Sequence, residues 1–393
     1  MINMGELFAH DRIKNQPMDR VPMTESEIER FGIHPGDLLF ARQSLVADGA
    51  GKCSIVLTAP EVTTFESHLI RVRLNQEIAD PLYFFYYFCS PSGKGNVHSL
   101  VMQVAAAGIR GSELAKLPVP LPSIGRQRRI ASILCGYDDL IENNTRRIAI
   151  LEEMARRIYE EWFVRFRFPG HENMRMVESE LGPVPEGWSI SPLSETAKML
   201  SGFAFKSDTF VEDGNFGLVT IKNVHDGLFV EECSSRLSEI PAKMPAHCHL
   251  KVADILLSLT GNVGRCCLVT VEGCLLNQRV AKIQPREETD WAYSYLLFRS
   301  PQFQDRLIAL ASGVAQQNLS PVESQKLPVL SPPKELRAAF SSATTDFLNL
   351  TLTLWRKNAN LRRTRDLLLP KLISGEVDVS AIPKSDDATD RDA

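Results

Sequence analysis

The densest group of residues able to do chemistry is His247-Cys248-His249, with Cys233, Cys266, Cys267 and Cys274 nearby in the chain. Imidazoles and thiols are zinc ligands, but a zinc site spaces them so that four can close one tetrahedron. Adjacent residues seldom do so, and no Cys-x-x-Cys occurs, so no metal site is expected. No G-x-x-x-x-G-K-[ST] loop is present to cradle phosphates, and no G-x-G-x-x-G, H-E-x-x-H or G-x-S-x-G occurs. The aromatic run Tyr83 to Phe88 could stack bases, but consecutive large residues on a short helix belong more naturally to a core.

Asp80-Pro81-Leu82-Tyr83 has most of the Asp-Pro-Pro-Tyr signature of amino-group DNA methyltransferases and lacks its second proline. Its counterpart later in the chain, Asp290-Trp291-Ala292-Tyr293, has no proline at all. The simpler expectation is a helix start, with Asp80 as cap and Pro81 at the first position. A chain with no readable catalytic motif is expected to bind or position rather than to catalyse.

That counterpart belongs to an internal repeat. Shifted by 210 positions, Asp80 to Leu151 shows 19 identities in 72 aligned residues. Unrelated segments would give roughly 4–5 at ordinary composition. Ser90-Pro91 meets Ser300-Pro301, and Lys116-Leu117-Pro118-Val119 meets Lys326-Leu327-Pro328-Val329. Upstream the register slips: Gly36-Asp37-Leu38-Leu39-Phe40 resembles Ala253-Asp254-Ile255-Leu256-Leu257, and Arg71-Val72 resembles Arg279-Val280. The chain is therefore two copies of a globular part followed by a helical part. The first copy is expected to lack roughly 30 residues at its start, comparing the stretch before each buried Asp-containing strand.

The helical parts carry heptads. Ile130, Tyr137, Asn144, Leu151 and Ile158 recur every seven residues, with Leu134, Ile141, Ile148, Ala155 and Trp162 as the second seam position. Asn144 is polar in that seam and must find a partner for its amide. Phe340, Phe347, Leu354, Leu361 and Leu368 repeat the pattern. Pro370 is expected to break or kink the last turn, and Gly375 to cap it. Two such helices most simply pair with each other, antiparallel.

The chain has 393 residues, with 44 Lys+Arg against 48 Asp+Glu, a net charge of −4. That excludes a protein coated in positive charge but not a local basic surface. Hydrophobic content of 44% suits globular domains. No apolar run suits a membrane span and Met1 to Asp19 lacks the apolar stretch of a signal peptide, so a reduced cytoplasm and no membrane partner are expected.

In order, these features resemble the specificity (S) subunits of type I restriction–modification systems. Pro185-Glu186-Gly187-Trp188 looks like the family's lead-in to a recognition domain, and Ser201-Gly202-Phe203-Ala204-Phe205-Lys206-Ser207 its glycine-aromatic-lysine-serine segment. Asn277-Gln278-Arg279-Val280, Gly313 with Gln316-Gln317-Asn318-Leu319-Ser320, and the proline-rich lead into each helix complete the likeness. The resemblance implies a mixed α/β fold: two target-recognition domains separated by two long helices that pair as an antiparallel coiled coil. The expected segments are a shortened first recognition domain over 1–122 and a first spacer helix over 123–170. A second recognition domain follows over 185–331, then a second spacer helix over 332–375 and a disordered acidic tail over 376–393. It implies double-stranded DNA, two methyltransferase (M) subunits and restriction (R) subunits as partners, in a bacterial or archaeal cytoplasm. No catalytic residue, cofactor or metal is expected in this chain. S-adenosylmethionine, ATP and Mg belong to the partner subunits, whose complex is a site-specific deoxyribonuclease and adenine-N6 methyltransferase.

Major-groove readout pairs Arg or Lys with guanine and Asn or Gln with adenine. In the second copy the family's loop segments supply Lys206, Ser207, Lys222, Asn223, Asn262, Arg265, Asn277, Gln278, Arg279, Gln316, Gln317 and Asn318. In the first copy the candidates are Arg12, Lys14, Asn15, Arg42, Ser44, Lys52 and Arg110. The alternatives are an orphan methylation specificity factor without a restriction subunit, and a coiled-coil scaffold with two protein-binding lobes and no DNA role.

Overall fold

The computed structural model describes residues 1–44, 49–103, 107–180, 182–311, 313 and 317–380. Helices and strands alternate in it, in a mixed α/β arrangement. The chain forms two compact units: Met1–Glu142 with Asn360–Ala393, and Asn143–Ala359. The long helices Ile124–Tyr159 and Lys334–Ser374 each contribute residues to both. Among the described residues no helix is long and apolar enough to cross a membrane.

The two units are built on one frame. In the first, strand Leu38–Ala41 lies between Cys53–Val56 and Leu69–Val72, antiparallel to both. In the second, Ile255–Ser258 lies between Cys266–Leu268 and Val280–Pro285, again antiparallel to both. All four residues of each central strand are buried, which is why both read as unbroken apolar runs rather than alternating ones. The turn entering each strand is duplicated atom for atom. Gly36 N donates to Val56 O at 2.8 Å, and Ala253 N to Val269 O at 2.9 Å. Asp37 accepts from His34 N and binds Arg73 at 2.6 Å; Asp254 accepts from Lys251 N and binds Lys282 at 2.7 Å.

This pairing corrects one sequence match. Leu39 opposes Arg71, and Leu256 opposes Lys282, so Arg71-Val72 corresponds to Lys282-Ile283. The Arg-Val likeness at Arg279-Val280 is three residues out of register. The residue equivalent to Arg279 is His68.

The units differ at their edges. In the first, Arg12–Ile13 adds a parallel strand beside Cys53–Val56. In the second, Ala197–Ser201 lies beside Val280–Pro285. The second unit also carries another four-stranded sheet, whose central strands Phe216–Val219 and Cys274–Leu276 run parallel. Among the described residues the first unit has no such sheet; helices Met4–Ala9 and Glu25–Phe31 precede its central strand.

Asp80 caps helix Pro81–Cys89 by accepting from Tyr83 N at 2.9 Å, and Tyr83 to Phe88 are all buried. The run is core, as expected. Its counterpart Trp291–Arg299 is buried from Ala292 to Phe298.

The long helices pair antiparallel within each unit. In the first, Ile130, Ala131 and Leu134 share a core with Leu369 and Leu372, and Asp138 binds Arg365 at 2.5 Å. In the second, Ala155, Tyr159 and Phe163 share a core with Phe340, Leu348 and Leu352. The seam amide is satisfied: Asn144 Nδ2 donates to Asn358 Oδ1 at 2.9 Å, and Asn358 Nδ2 donates to Thr145 Oγ1 at 3.2 Å. The first helix ends in one wide turn, Glu160–Val164, short of the expected residue 170. Pro370 does not break the second, which continues to Ser374 and ends at left-handed Gly375. The expected disordered tail is corrected for 376–380. Val377 and Val379 pack on the first unit's core, with Val379 only 2% exposed. Residues 381–393 lie outside those described.

Two predictions test this framework. Ala253 holds φ +72 where Gly36 holds φ +91. A left-handed backbone costs a residue with Cβ about 1–2 kcal/mol, partly offset by glycine's freedom when unfolded. Ala253→Gly is expected to stabilise by about 0.5–1 kcal/mol in urea unfolding. Gly36→Ala is expected to destabilise, because its Cβ would meet Pro81 Cγ at 3.2 Å. In the seam, Asn358→Ala strands the Asn144 amide and should cost about 1–3 kcal/mol. Replacing both Asn144 and Asn358 with Leu should recover most of that loss in the same assay.

Candidate nucleic-acid interface

In the second unit the end of the central strand gathers five loop segments. Leu259 N donates to Arg279 O at 2.9 Å, and Leu319 N donates to Leu259 O at 2.8 Å. Thr260 then bridges to Asn318. Phe203 N donates to Leu276 O, and Gln278 N donates back to Phe203 O. Asn277 N donates to Val219 O, where the turn to Lys222 begins. A Cβ on Gly261 would lie 3.2 Å from Ile221 Cδ1, so that turn packs on the hairpin Thr260–Asn262. One edge therefore carries Lys222, Asn262, Gln278, Arg279, Gln317 and Asn318, all exposed, with half-buried Asn277 among them. Lys206 and Ser207 follow Phe203 on the same segment and are exposed.

The structure sorts these candidates. Arg265 and Asn262 are already paired: with the Asn262 amide oxygen turned to it, the guanidinium donates at 3.2 and 3.3 Å. Arg265 also approaches His225 Nδ1 at 3.4 Å, so it is positioned rather than mobile. Asn277 Oδ1 accepts from Arg279 N at 3.2 Å, shaping the turn that presents Gln278 and Arg279. Asn223 is not a surface reader. It is 2% exposed; its oxygen accepts from Thr220 N and its nitrogen donates to Val230 O and Glu232 O. Every amide group is consumed in holding the 220–232 turn, so a base edge would find none free. Gln316 lies outside the described residues.

In the first unit only part of the expected set faces outward together. Ile109 N donates to Arg42 O at 2.8 Å, and Ser44 pairs with Ala107. Arg42, Ser44 and Arg110 thus share one edge. Lys52 is engaged elsewhere: its ammonium donates to Phe8 O at 2.8 Å and lies 3.1 Å from Asp11. Arg12 is corrected as well. Its side chain is 12% exposed and binds Asp139 at 2.5 Å on the long helix. Lys14 binds Glu142 at 2.5 Å on the same helix. Both hold the edge strand to the spacer, because strand Arg12–Ile13 runs beside that helix. Asn15 is exposed and lines a separate cleft of about 590 Å³ with Gln16, Arg20 and Glu61.

Sequence reasoning passes over Gln43 and His68. Both are exposed beside Arg42, and Gln43 Nε2 lies 2.7 Å from His68 Nδ1. The three-residue slip hides His68 behind Arg71; aligning the buried strands residue by residue would have exposed it.

Residues 22–153 match the family model described as the type I restriction modification DNA specificity domain. The chain is 24% identical over 321 residues to the type I restriction enzyme HindI specificity subunit of Haemophilus influenzae, covering 67% of this chain and 70% of that one. It is 26% identical over 345 residues to the type I restriction enzyme MjaVIII specificity subunit of Methanocaldococcus jannaschii, covering 85% and 79%. The chain is similar to type I specificity subunits over most of its length. Its fold is also that of a crystal structure of the S subunit from M. genitalium, with a TM-score of 0.55 at 14% identity over 92% of this chain and 88% of that one.

The remaining motifs have structural uses. Asp80 N donates to Gln127 Oε1 at 2.7 Å, while its carboxylate caps the helix. His247 Nε2 lies 2.8 Å from Ser201 O, and Cys248 is fully buried. Among the described residues no group of three or more His, Cys, Asp and Glu side chains is placed to hold a metal.

The Arg12–Asp139 contact gives a pH test. Partial burial opposes ionisation of Asp139, but the Arg12 hydrogen bond and charge outweigh it and hold the carboxyl below its usual value. A lowered carboxyl stabilises the fold above its unfolded pKa of about 3.9 and loses that contribution as pH falls through the folded value. Thermal melts of wild type and Asp139→Asn should therefore differ at pH 6 and converge in the range below about pH 4.

Proposed function

We propose that this chain is the DNA sequence-recognition subunit of a type I restriction–modification complex, reading a split, non-palindromic target. The carrying observation is the duplicated strand-end frame, which presents different side chains in its two copies. Thr260, Arg279 and Asn318 occupy it in the second, and Gln43, His68 and Gly108 in the first. Each frame reads a few base pairs, and unlike side chains demand unlike half-sites.

Each correct bidentate contact discriminates by about 1–3 kcal/mol, so three or four per unit make a usable half-site. Held together by paired helices, the second unit binds at high effective concentration once the first is seated. Helix length sets the gap between half-sites. The chain supplies specificity and no chemistry. Two methyltransferase subunits act on the marked site with S-adenosylmethionine, and restriction subunits with ATP and Mg, in the cytoplasm of a bacterium or archaeon. A net charge of −4 leaves this chain with a weak hold on phosphates, so the methyltransferase subunits provide much of the clamp. The isolated chain is expected to bind DNA weakly.

The test is the methylome of cells with and without the gene, followed by exchange of residues 185–331 for those of another specificity subunit. The expected result is a two-part motif that disappears without the gene and changes in one part only after the exchange. A continuous or palindromic motif, or a motif unchanged by the exchange, would sink this reading.

A further inference from the structure

The two units serve as each other's reference. In the second, Leu259 N donates to Arg279 O, Leu319 N donates to Leu259 O, and Thr260 bridges to Asn318. In the first, Arg42 N donates to His68 O at 2.8 Å, Ile109 N donates to Arg42 O at 2.8 Å, and Gln43 pairs with Gly108. Three independent backbone contacts therefore equate Gln43 with Thr260, His68 with Arg279, and Gly108 with Asn318. They also equate Arg42 with Leu259, which is 3% exposed in the second unit. Arg42 lies at the bend after strand Leu38–Ala41, whereas Gln43 opens the short strand that pairs with Gly108.

We propose that Gln43 and His68 together read a purine-bearing position of the first half-site, and that Arg42 plays a secondary part. This rests on the DNA-recognition reading above. The chemistry follows from their mutual contact. Gln43 Nε2 is 2.7 Å from His68 Nδ1, and an amide nitrogen can only donate, so Nδ1 accepts. The imidazole proton then resides on Nε2, leaving His68 a donor aimed away from Gln43. Gln43 keeps its Oε1 acceptor and its second N–H. An acceptor and a donor on one planar amide match adenine N6 and N7. The imidazole N–H adds a donor for a neighbouring purine N7 or guanine O6. Arg42 offers no comparable edge: its guanidinium donates to Ser67 O at 3.3 Å, bracing the turn that carries His68. The frame thus puts a coupled amide–imidazole pair where the second unit puts Thr260 and Arg279.

The experiment uses the chain assembled with its own methyltransferase subunits, reading methylated motifs in genomic DNA by modification-sensitive sequencing. Wild type, Gln43→Ala, His68→Ala, Gln43→Arg and Arg279→Ala are compared. Gln43→Ala and His68→Ala should each lower base preference by about 10- to 100-fold at one or two positions in one half of the motif. Arg279→Ala should act only on the other half. Gln43→Arg should move the preference at one position from adenine toward guanine, a gain that misfolding cannot produce. The assignment fails if Gln43→Ala and Gln43→Arg both keep the wild-type motif. It fails equally if assembled variants lose preference across both halves alike, since a reader governs its own position. Should wild type give no two-part motif, the recognition reading itself is wrong, which separates the two failures.

Discussion

The end of one buried strand fixes where every candidate reading loop can lie. Ala41 and Ser258 close central strands paired on both sides, so neither can shift without breaking two ladders at once. The next residue, Arg42 or Leu259, spends both backbone groups on the flanking loops. With those bonds made, the following residue and the one before the third strand are set beside each other, and in the first unit their side chains meet, Gln43 Nε2 lying 2.7 Å from His68 Nδ1. Loop sequence can then vary without loss of geometry, because main-chain atoms set the frame. That is the property a recognition unit needs if its targets are to diverge while its fold persists.

The second unit elaborates the frame; the first keeps it bare. The parallel pair Phe216–Val219 and Cys274–Leu276 brings the Lys222 turn and the Phe203–Ser207 segment to the reading edge. Asn223 is the internal strut of this addition, which is why an amide next to exposed Lys222 is buried. The first unit instead recruits Arg12 and Lys14 to anchor its edge strand on a helix carrying Asp139 and Glu142. Cations that look available in a list of residues are committed once an edge strand has to be held without a second sheet.

Much of this was legible in the chain. The 210-residue repeat located Asp80, the aromatic run and both helices, since periodic apolar burial leaves its mark directly on sequence. The Asn144 seam amide announced a partner, and Asn358 supplies it. The upstream register was not legible, because insertions between strands move the offset from 210 to 211, 213 and 217, and Arg-Val recurs at the wrong place. Only hydrogen-bond partners restore it. The fates of Arg12, Lys52 and Asn223 were hidden for another reason. Whether a polar side chain faces solvent depends on which distant carboxylate or carbonyl reaches it, and no local pattern encodes Asp139 beside Arg12 or Val230 O beside Asn223.

The seam amides and the reading edges obey the same rule on different scales. The amide contact between half-buried Asn144 and buried Asn358 favours one register of the paired helices, since sliding by a turn would break it. That rule trades some stability for a single alignment. At the edges, Gln43 and His68 satisfy each other at 2.7 Å and keep one face unsatisfied toward solvent. Pairing removes the rotational freedom that an isolated glutamine would lose on meeting a base. A reader with few contacts cannot rely on many phosphates in a chain of net charge −4. Its discrimination must come from side chains already held in place before DNA arrives, and both devices do that by hydrogen bonds whose alternatives are costly.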